Sequence, residues 1–361
     1  TATPGVTLST IPTLFGSGSG WCWVVGACRT PRAWAAKGVL KDLGPYVDRD
    51  ADALNMGDMW PSVVDACHYP AKGKLIALPR ETFGLMIMLY NSTLLKQFGV
   101  TTPDQDYDAG NWTWEQWAER AKAVTKFGAD GRRETMGTSF WGVGYWTLQL
   151  AMPSYGLTMF SEDRKHFQVN DPKIIGWIKL LNRMMVEDQS MGKPDESAQF
   201  DWGSSGKLGI QLDGSWGLPN FRETWADFEW DFVPPPKGTC CHTNIHGNDY
   251  HAVNGSNYAD QDGGWELIKF LNSPEEDLWW GLNMYGPPFR QSNLKAWTDE
   301  VQKGLPKNGW KYIPDMMKQA VPWAAVPFVD EVSNLADNEL NQAVMGERPV
   351  DEVVASVAGK V

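Results

Sequence analysis

The residues that most restrict what this chain of 361 amino acids could bind are its 20 tryptophans. Each indole offers a large flat apolar face and one N–H donor, which suit the C–H faces of sugar rings. Seven indoles lie beside loop-like or polar residues and are candidates for binding: Trp21, Trp23, Trp141, Trp146, Trp202, Trp216 and Trp323. Four others recur at helical spacing among apolar residues and are predicted to lie in the core: Trp114, Trp117, Trp177 and Trp265.

Thiol and imidazole groups form a second candidate site, because potential metal ligands crowd together at Cys240, Cys241, His242, His246, Asp249 and His251. Adjacent cysteines rarely both reach one ion, and the three prolines before this segment indicate a long loop. We therefore predict no metal ion and no cofactor, and favour a disulfide with hydrogen-bonding histidines at a ligand cleft. The cysteine pairing stays open between Cys22 with Cys28, Cys240 with Cys241, and Cys240 with Cys67.

Signatures of enzymes are weak along the chain. There is no phosphate-cradling G-x-x-x-x-G-K-[ST] loop and no zincin helix, and Gly142-Val143-Gly144 is too short for a dinucleotide fingerprint. Ser215 lies in Gly214-Ser215-Trp216-Gly217, which is not the G-x-S-x-G elbow of a serine nucleophile. Paired carboxylates could serve a glycosidase, but 44 acidic residues make such pairs available by chance.

The charge of the chain argues against two classes of partner. A net charge of -12 disfavours nucleic acid and anionic membrane surfaces, because both repel an acidic protein. No stretch approaches the roughly 18 consecutive apolar residues that a membrane span requires. No signal peptide is recognisable at Thr1, which fits a mature secreted chain as well as a cytosolic one.

Strand-like and helical patterns alternate along the sequence, which predicts an α/β fold. Short apolar runs predict strands at 23–25, 75–78, 85–90, 208–212 and 230–233. Helix starts are signalled by Thr113 with Gln116, by Asp171-Pro172 and by Ser273-Pro274. Near the C-terminus, a helix that Gly346 can end is indicated by an apolar stripe of Val329, Val332, Ala336, Leu340 and Ala343.

Eight segments occur in a characteristic order: Gly38 to Leu43, Gly73 to Asn91, Thr113-Trp114-Glu115-Gln116, Gly206 to Trp216, Phe232 to Gly238, Trp265 to Leu271, Tyr285 to Arg290, and Val344 to Glu352. Together they resemble the extracellular solute-binding proteins of sugar ABC importers, the family of the maltose-binding protein. The resemblance spans residues 38 to 357, and its strength lies in the order of the motifs rather than in any one of them.

The resemblance implies a periplasmic-binding-protein fold of two interwoven α/β lobes, with hinge crossings and a ligand cleft between the lobes. Lobe one is expected at 1–84 plus 253–320, and lobe two at 85–252 plus 321–361. It also implies non-catalytic capture of a carbohydrate, an oligosaccharide in our interpretation, and its delivery to an ABC importer membrane permease. We expect a monomer in the periplasm or outside the cell, and leave open a lipid anchor before processing.

The resemblance also assigns binding roles to individual residues. Trp216 matches the stacking aromatic of the family, Asp213 precedes it, and Trp141 and Trp146 match a second aromatic loop of lobe two. The other expected ligand-binding residues lie on loops and crossings: Arg29, Glu81, Thr82, Asn248, Asp249, Tyr250, Arg290, Trp323 and Phe328. A surface ion pair is the alternative for Arg290, and a solvated side chain is the alternative for Glu81.

Two other functions stay open at this point. One is a glycoside hydrolase, which two carboxylates at catalytic spacing would favour. The other is a binding protein for a non-sugar solute such as a polyamine or a metal chelate, which a strongly acidic cleft would favour. The start of the chain also departs from the family pattern, since the first strand, a helix and a Pro-Asp turn are missing or altered. We expect either an incomplete chain or a trimmed first lobe.

Overall fold

The computed structural model describes residues 23–27, 34–35, 37–70, 73–79, 84–163, 165–193, 196, 201–245, 249–253, 255, 260–284, 286–321, 324, 326 and 328–361. These residues form helices and sheets in alternation, which confirms the predicted α/β class. The chain divides into two compact units. Unit 1 is Thr1–Gly84, His246–Val301 and Val321–Val329, and unit 2 is Leu85–Ile245, Gln302–Ala320 and Asp330–Val361. None of the helices in the described ranges is long and apolar enough to cross a membrane.

The strands in chain order are β1 (Trp23–Ala27), β2 (His68–Tyr69), β3 (Lys74–Leu75), β4 (Leu78–Pro79), β5 (Met86–Asn91), β6 (Lys126–Phe127), β7 (Arg133–Ser139), β8 (Leu208–Gly214), β9 (Trp230–Val233), β10 (Asn244–Ile245), β11 (Asp249–Val253) and β12 (Ala320–Val321). The helices are α1 (Gly44–Arg49), α2 (Ala51–Leu54), α3 (Pro61–Ala66), α4 (Ser92–Gln97), α5 (Pro103–Asp108), α6 (Trp114–Val124), α7 (Tyr145–Ser154), α8 (Pro172–Val186), α9 (Leu218–Thr224), α10 (Gln261–Leu271), α11 (Pro274–Met284), α12 (Leu294–Val301), α13 (Ile313–Gln319), α14 (Val329–Val344) and α15 (Val350–Lys360).

Unit 2 is built on a five-stranded sheet with the strand order β6-β7-β8-β5-β9. Strand β5 is antiparallel to both neighbours, and its Met88 lies opposite Leu212 of β8 and Val233 of β9. Strand β7 runs parallel to β8, with Thr138 opposite Ile210. Strands β7, β8 and β9 therefore point the same way, and the loops that follow them leave the sheet at one edge.

Helices of unit 2 begin at the predicted capping residues. Oγ1 of Thr113 accepts a hydrogen bond from the backbone N–H of Gln116 at 3.2 Å, where α6 starts. The carboxylate of Asp171 accepts one from the backbone N–H of Lys173 at 2.9 Å, where α8 starts. These bonds satisfy donors that have no partner within the first turn of a helix. The sequence therefore predicted these helix starts correctly.

Residues 302–320 belong to unit 2, whereas the sequence-based boundary placed them in lobe one. Asp231 of β9 explains the difference, because its buried carboxylate accepts hydrogen bonds from the backbone N–H groups of Lys307, Asn308 and Gly309 at 3.2, 2.8 and 2.8 Å. The Trp310 ring also packs edge-on against Phe232, with centroids 5.3 Å apart. Two further ranges that the prediction gave to lobe two, 246–252 and 321–329, belong to unit 1.

Unit 1 contains a three-stranded antiparallel sheet with the order β1-β11-β4. The single strand predicted at 75–78 is divided in the structure. Leu75 pairs with His68 of β2, and Leu78 pairs with His251 of β11. An apolar run cannot reveal such a division, because buried residues in two short strands and in one longer strand have the same composition.

The indoles predicted to lie in the core are buried. In unit 2 the Trp114 ring lies 5.7 Å from that of Trp117 and 5.5 Å from that of Trp177, edge to face in both pairs. In unit 1, Nε1 of Trp265 donates a hydrogen bond to Asp50 Oδ2 at 2.6 Å. Burial of such large rings supplies much of the apolar core of each unit.

Candidate functional site

Three of the predicted binding aromatics lie together in unit 2: Trp141, Trp146 and Trp216, which we call the indole cluster. The ring centroids lie 6.1 Å apart for Trp141 and Trp146, 6.2 Å for Trp141 and Trp216, and 6.4 Å for Trp146 and Trp216. The corresponding interplanar angles are 81°, 38° and 63°. Trp141 is 44% exposed and the other two are half-buried. The cluster therefore presents apolar ring surface to solvent.

The topology of the sheet brings these indoles together. Strand β7 ends at Ser139, two residues before Trp141, and strand β8 ends at Gly214, two residues before Trp216. Because β7 and β8 are parallel neighbours, the segments after them leave the sheet at the same edge. Trp146 lies in the first turn of α7, which follows the Trp141 loop.

Trp216 rests directly on the backbone of unit 2. A Cβ atom on Gly214 would lie 2.2 Å from the indole ring of Trp216, so any other residue at this position would displace the ring. The short 3₁₀ helix that carries Trp216 (Ser215–Gly217) is also held at the start of strand β5. Ser215 N donates to Leu85 O at 2.8 Å, and Leu85 N donates to Ser215 Oγ at 3.1 Å.

Helix α14 holds the loop that carries Trp141. Asp337 Oδ1 accepts a hydrogen bond from the backbone N–H of Tyr145 at 2.9 Å, and Asn341 Oδ1 accepts one from that of Val143 at 2.9 Å. Asp337 and Asn341 are four residues apart and therefore project from one face of the helix. Two side chains of one rigid element thus fix the backbone on which the indole stands.

Two glycines make this anchoring possible. A Cβ atom on Gly142 would lie 2.4 Å from Asn341 Oδ1, and one on Gly144 would lie 2.0 Å from Asp337 Oδ1. Gly142 also has a φ of +83°, which glycine adopts without the cost that a side chain would impose. Thr147 completes the turn, because its Oγ1 accepts from Gly144 N at 3.1 Å and donates to Gly142 O at 2.9 Å.

Two polar side chains precede Trp216 on strand β8. Gln211 and Asp213 are two residues apart, on the half-buried face of the strand. Asp213 Oδ2 accepts from Gln211 Nε2 at 2.9 Å, and Oδ1 accepts from Gly214 N at 2.7 Å. Burial raises the pKa of Asp213, although both hydrogen bonds act in the opposite direction. A carboxylate and a planar amide side by side can satisfy pairs of sugar hydroxyls.

Other predicted site residues lie in unit 1. Asp249 and Tyr250 lie in β11 of unit 1, where their backbones pair with Ala27 and Gly26 of β1. Phe328 is a half-buried residue of unit 1, directly before α14. The remaining predictions fall outside the described residues: Arg29, Glu81, Thr82, Asn248 and Trp323.

Arg290 has a structural role in unit 1, which corrects the predicted role in ligand binding. It is 1% exposed, so it does not form the alternative surface ion pair either. Its Nε and Nη2 donate to Asn272 O at 3.1 and 2.6 Å, and Nη2 also donates to Leu54 O at 2.7 Å. Nη1 donates to Asn55 O at 3.3 Å and lies 3.6 Å from Asp58 Oδ2. The guanidinium thus joins separate segments of unit 1.

The cysteine and histidine segment forms no metal site in the part of the chain that the structure describes. Nδ1 of His242 donates to Pro235 O at 3.0 Å, its ring lies 4.5 Å from that of Tyr107, and burial lowers its pKa. Cys67 is buried in unit 1 and donates to Val63 O at 3.3 Å. His246 lies outside the described residues.

Three residues of the candidate site were not predicted from the sequence: Gln211, Asp337 and Asn341. Alternation along β8 could have indicated Gln211, because it shares a face with Asp213. Asp337 and Asn341 follow buried Ala336 and Leu340 of the predicted stripe, and nothing local distinguishes them from solvated polar residues. Their partners are loop amides almost two hundred positions away in sequence.

Comparisons with known proteins agree on one fold. A family model described as bacterial extracellular solute-binding protein matches residues 2–277. No match is found among curated proteins. Among solved structures, the chain is similar to the ABC substrate-binding protein Lmo0181 from Listeria monocytogenes in complex with cycloalternan. That similarity has a TM-score of 0.83 and 20% identity, and it covers 98% of this chain and 87% of that chain.

Two further solved structures are also similar to this chain. The sugar-binding protein MalE from Xanthomonas citri has a TM-score of 0.77 and 16% identity, over 98% of this chain and 86% of that chain. UgpB from Mycobacterium tuberculosis in complex with glycerophosphocholine has a TM-score of 0.78 and 14% identity, over 99% of this chain and 87% of that chain. The similarities confirm the periplasmic-binding-protein fold expected from the sequence motifs.

Proposed function

The chain belongs to the bacterial extracellular solute-binding proteins, and from this premise we propose that it captures an oligosaccharide on the indole cluster and delivers it unchanged to an ABC importer permease. Two of the similar structures have names that support a sugar, since one is in complex with cycloalternan and the other is called a sugar-binding protein. The third is in complex with glycerophosphocholine, so the fold alone does not select the solute. The class of solute must therefore be inferred from the side chains of this protein.

The observation that carries the proposal is the mutual contact of the three indoles. The three ring centroids lie 6.1 to 6.4 Å apart, so the rings pack against one another. Trp141 is the exposed member of the cluster and offers the face of its ring to solvent. The flat apolar face of an indole suits the C–H face of a sugar ring.

The polar groups that precede Trp216 on strand β8 support the same substrate class. Asp213 and Gln211 are joined by a hydrogen bond of 2.9 Å, and this carboxylate and amide keep further acceptors and donors for the hydroxyls of a sugar. A polyamine site needs several carboxylates that stay ionised. Burial makes the charged form of Asp213 costly, so this residue fits such a site poorly. A neutral ligand with many hydroxyls fits this combination of groups.

A thermal-shift screen followed by calorimetry tests the proposal. A ligand that binds only the folded state stabilises it by about 2.7 kcal/mol at one hundred times its Kd, which a melting curve detects readily. The panel contains linear and cyclic oligosaccharides, glycerophosphocholine and spermidine. We expect an oligosaccharide to raise the melting temperature and a variant lacking the indoles of Trp141 and Trp216 to lose that shift. A shift with glycerophosphocholine or spermidine alone would refute the sugar assignment.

A further inference from the structure

The adjacent thiols of Cys240 and Cys241 form a close pair on the surface of unit 2. Their Sγ atoms lie 2.9 Å apart without a bond between them. Cys240 is exposed and Cys241 is half-buried, and the Cys241 sulfur also lies 3.7 Å from Pro153 O. One sulfur is therefore accessible to reagents in solution, and the second is within reach of the first.

The backbone around the two thiols is held in place by helix α7. The backbone N–H groups of Cys240 and Cys241 both donate to Ser154 O, at 3.0 and 3.3 Å. Two residues further on, Thr243 Oγ1 is buried and donates to Leu150 O at 2.8 Å. A disulfide requires sulfur atoms about 2.05 Å apart, so the two sulfurs are already within about 1 Å of bonding distance.

We propose that Cys240 and Cys241 are joined as a vicinal disulfide when the protein is in its extracellular compartment. The proposal uses the extracellular character of the family and does not depend on which solute is bound. Thiols that can approach each other are oxidised to disulfides outside the cell, whereas the cytosol keeps them reduced. The pairing also resolves the choice left open by the sequence in favour of the neighbouring cysteine.

The oxidation proceeds by exchange with an external disulfide, either a small molecule or an oxidoreductase. Burial, followed by the hydrogen bond with Cys240, raises the pKa of the Cys241 thiol, so exposed Cys240 is the first nucleophile. Its thiolate attacks the external disulfide, forms a mixed disulfide and expels one thiolate. Cys241 then loses its proton and attacks the Cys240 sulfur, which expels the second thiolate. Two protein thiols and one external disulfide thus become one protein disulfide and two external thiols.

The resulting bond is expected to be reversible. Adjacent Cα atoms of a trans peptide are about 3.8 Å apart, which is shorter than the separation in ordinary disulfides. Such a constraint makes a disulfide easier to reduce. Mild reductant should therefore open this pair before it opens an unstrained structural disulfide.

Peptide mapping of the native protein tests the proposal. Cleavage by trypsin after Lys237 and Lys269 yields a peptide whose only cysteines are Cys240 and Cys241. The protein is exported to an oxidising compartment, alkylated under denaturing conditions without reductant, and digested. We expect this peptide to lack alkyl groups and to weigh two hydrogens less than the dithiol form. After reduction it should carry two alkyl groups.

The variants Cys240→Ser and Cys241→Ser are the matched controls. Each should leave the remaining cysteine alkylated without prior reduction, in a protein with an unchanged circular dichroism spectrum. Two alkyl groups on the wild-type peptide before reduction would overturn the proposal. A cross-link from this peptide to Cys67, or a mixed disulfide on either cysteine, would overturn it equally.

Discussion

At the scale of single residues, Trp216 and Asp213 define the two chemical halves of the candidate site. The indole ring lies against the backbone of Gly214, and a Cβ atom at position 214 would collide with the ring. The carboxylate ends the polar face of β8 and is held by Gln211 and by the Gly214 amide. The groups proposed for stacking and for hydrogen bonding thus lie three residues apart, one on the strand and one in the turn that follows it.

Trp216→Ala should weaken oligosaccharide binding by about 2 kcal/mol or more, which corresponds to roughly a thirtyfold rise in Kd. The reason is the loss of one of the three indole rings proposed to stack on the sugar, while the polar groups stay in place. Isothermal titration calorimetry measures the change. Trp279→Ala is the matched control, because Trp279 is a 53% exposed indole of unit 1, outside the cluster. Equal affinities for both variants would contradict the role of Trp216.

Asp213→Asn should remove a pH dependence of binding. Burial raises the pKa of Asp213, so in the wild type the carboxylate is lost as the pH falls through that raised value and sugar affinity falls with it. The asparagine variant should bind more weakly at neutral pH and show a flatter profile as the pH falls towards the ordinary pKa of an aspartate. Calorimetry over this range provides the measurement.

Folding stability should change in the opposite sense at this residue. Because the pKa of Asp213 is higher in the folded than in the unfolded state, the ionised group costs stability above the raised value. That cost disappears as the pH falls towards the ordinary pKa of an aspartate. Asp213→Asn should therefore have a melting temperature at neutral pH at least as high as that of the wild type. A variant that unfolds at neutral pH would show that Asp213 acts structurally.

At the scale of elements, helix α14 and strand β9 each organise a segment that is distant in sequence. Asp337 and Asn341 of α14 bond to amides of the Trp141 loop, so the position of an indole depends on a helix near the C-terminus. Asp231 of β9 bonds to the amides of residues 307–309, so a segment expected in the other lobe folds with unit 2. In both places a side-chain oxygen accepts the backbone N–H hydrogen bonds that a backbone carbonyl accepts within a helix or a sheet.

The double variant Asp337→Ala, Asn341→Ala should displace the Trp141 loop and raise the Kd for oligosaccharide by about tenfold, near 1.4 kcal/mol. Excitonic circular dichroism of the indole cluster should also weaken in the absence of ligand, which a merely remote effect on binding would not cause. Asn338→Ala is the control, since Asn338 is an exposed residue of the same helix. An unchanged spectrum and affinity in the double variant would reject the anchoring role.

Asp231→Ala should lower the free energy of unfolding of unit 2 by roughly 3 kcal/mol, because backbone N–H groups lose a buried acceptor. Besides the three amides of residues 307–309, the Phe232 amide donates to Asp231 at 2.9 Å. Urea denaturation followed by tryptophan fluorescence measures the loss. Asp231→Asn keeps one acceptor oxygen and should lose less. A loss below about 1 kcal/mol in the alanine variant would show that water replaces the carboxylate.

At the scale of the whole molecule, the proposed task is capture without chemistry. Incubation with a bound oligosaccharide should therefore return that oligosaccharide unchanged, as followed by mass spectrometry. A glycosidase would need two carboxylates flanking the bond, about 5 to 9.5 Å apart. Steady release of shorter sugars by the purified protein, lost again in Asp213→Asn, would establish the hydrolase alternative instead.

The sequence by itself determined the local structure and the class of the protein. The caps at Thr113 and Asp171 and the stripe of α14 were predicted from residue types and spacing, and the strand predicted at 85–90 is observed at Met86–Asn91. The order of eight motifs indicated the family. These features depend on interactions within a few residues or on pattern alone, so they are visible before the chain is folded.

Only the tertiary structure decided which distant residues act together. Parallel pairing of β7 with β8 brings Trp141 beside Trp216, burial assigns Arg290 to the framework of unit 1, and Asp231 assigns residues 302–320 to unit 2. In the sequence alone, the same residue types are equally consistent with solvated side chains and with ligand-binding ones. The free energy of a charged or aromatic side chain depends on its burial and partners, and the folded chain alone supplies both.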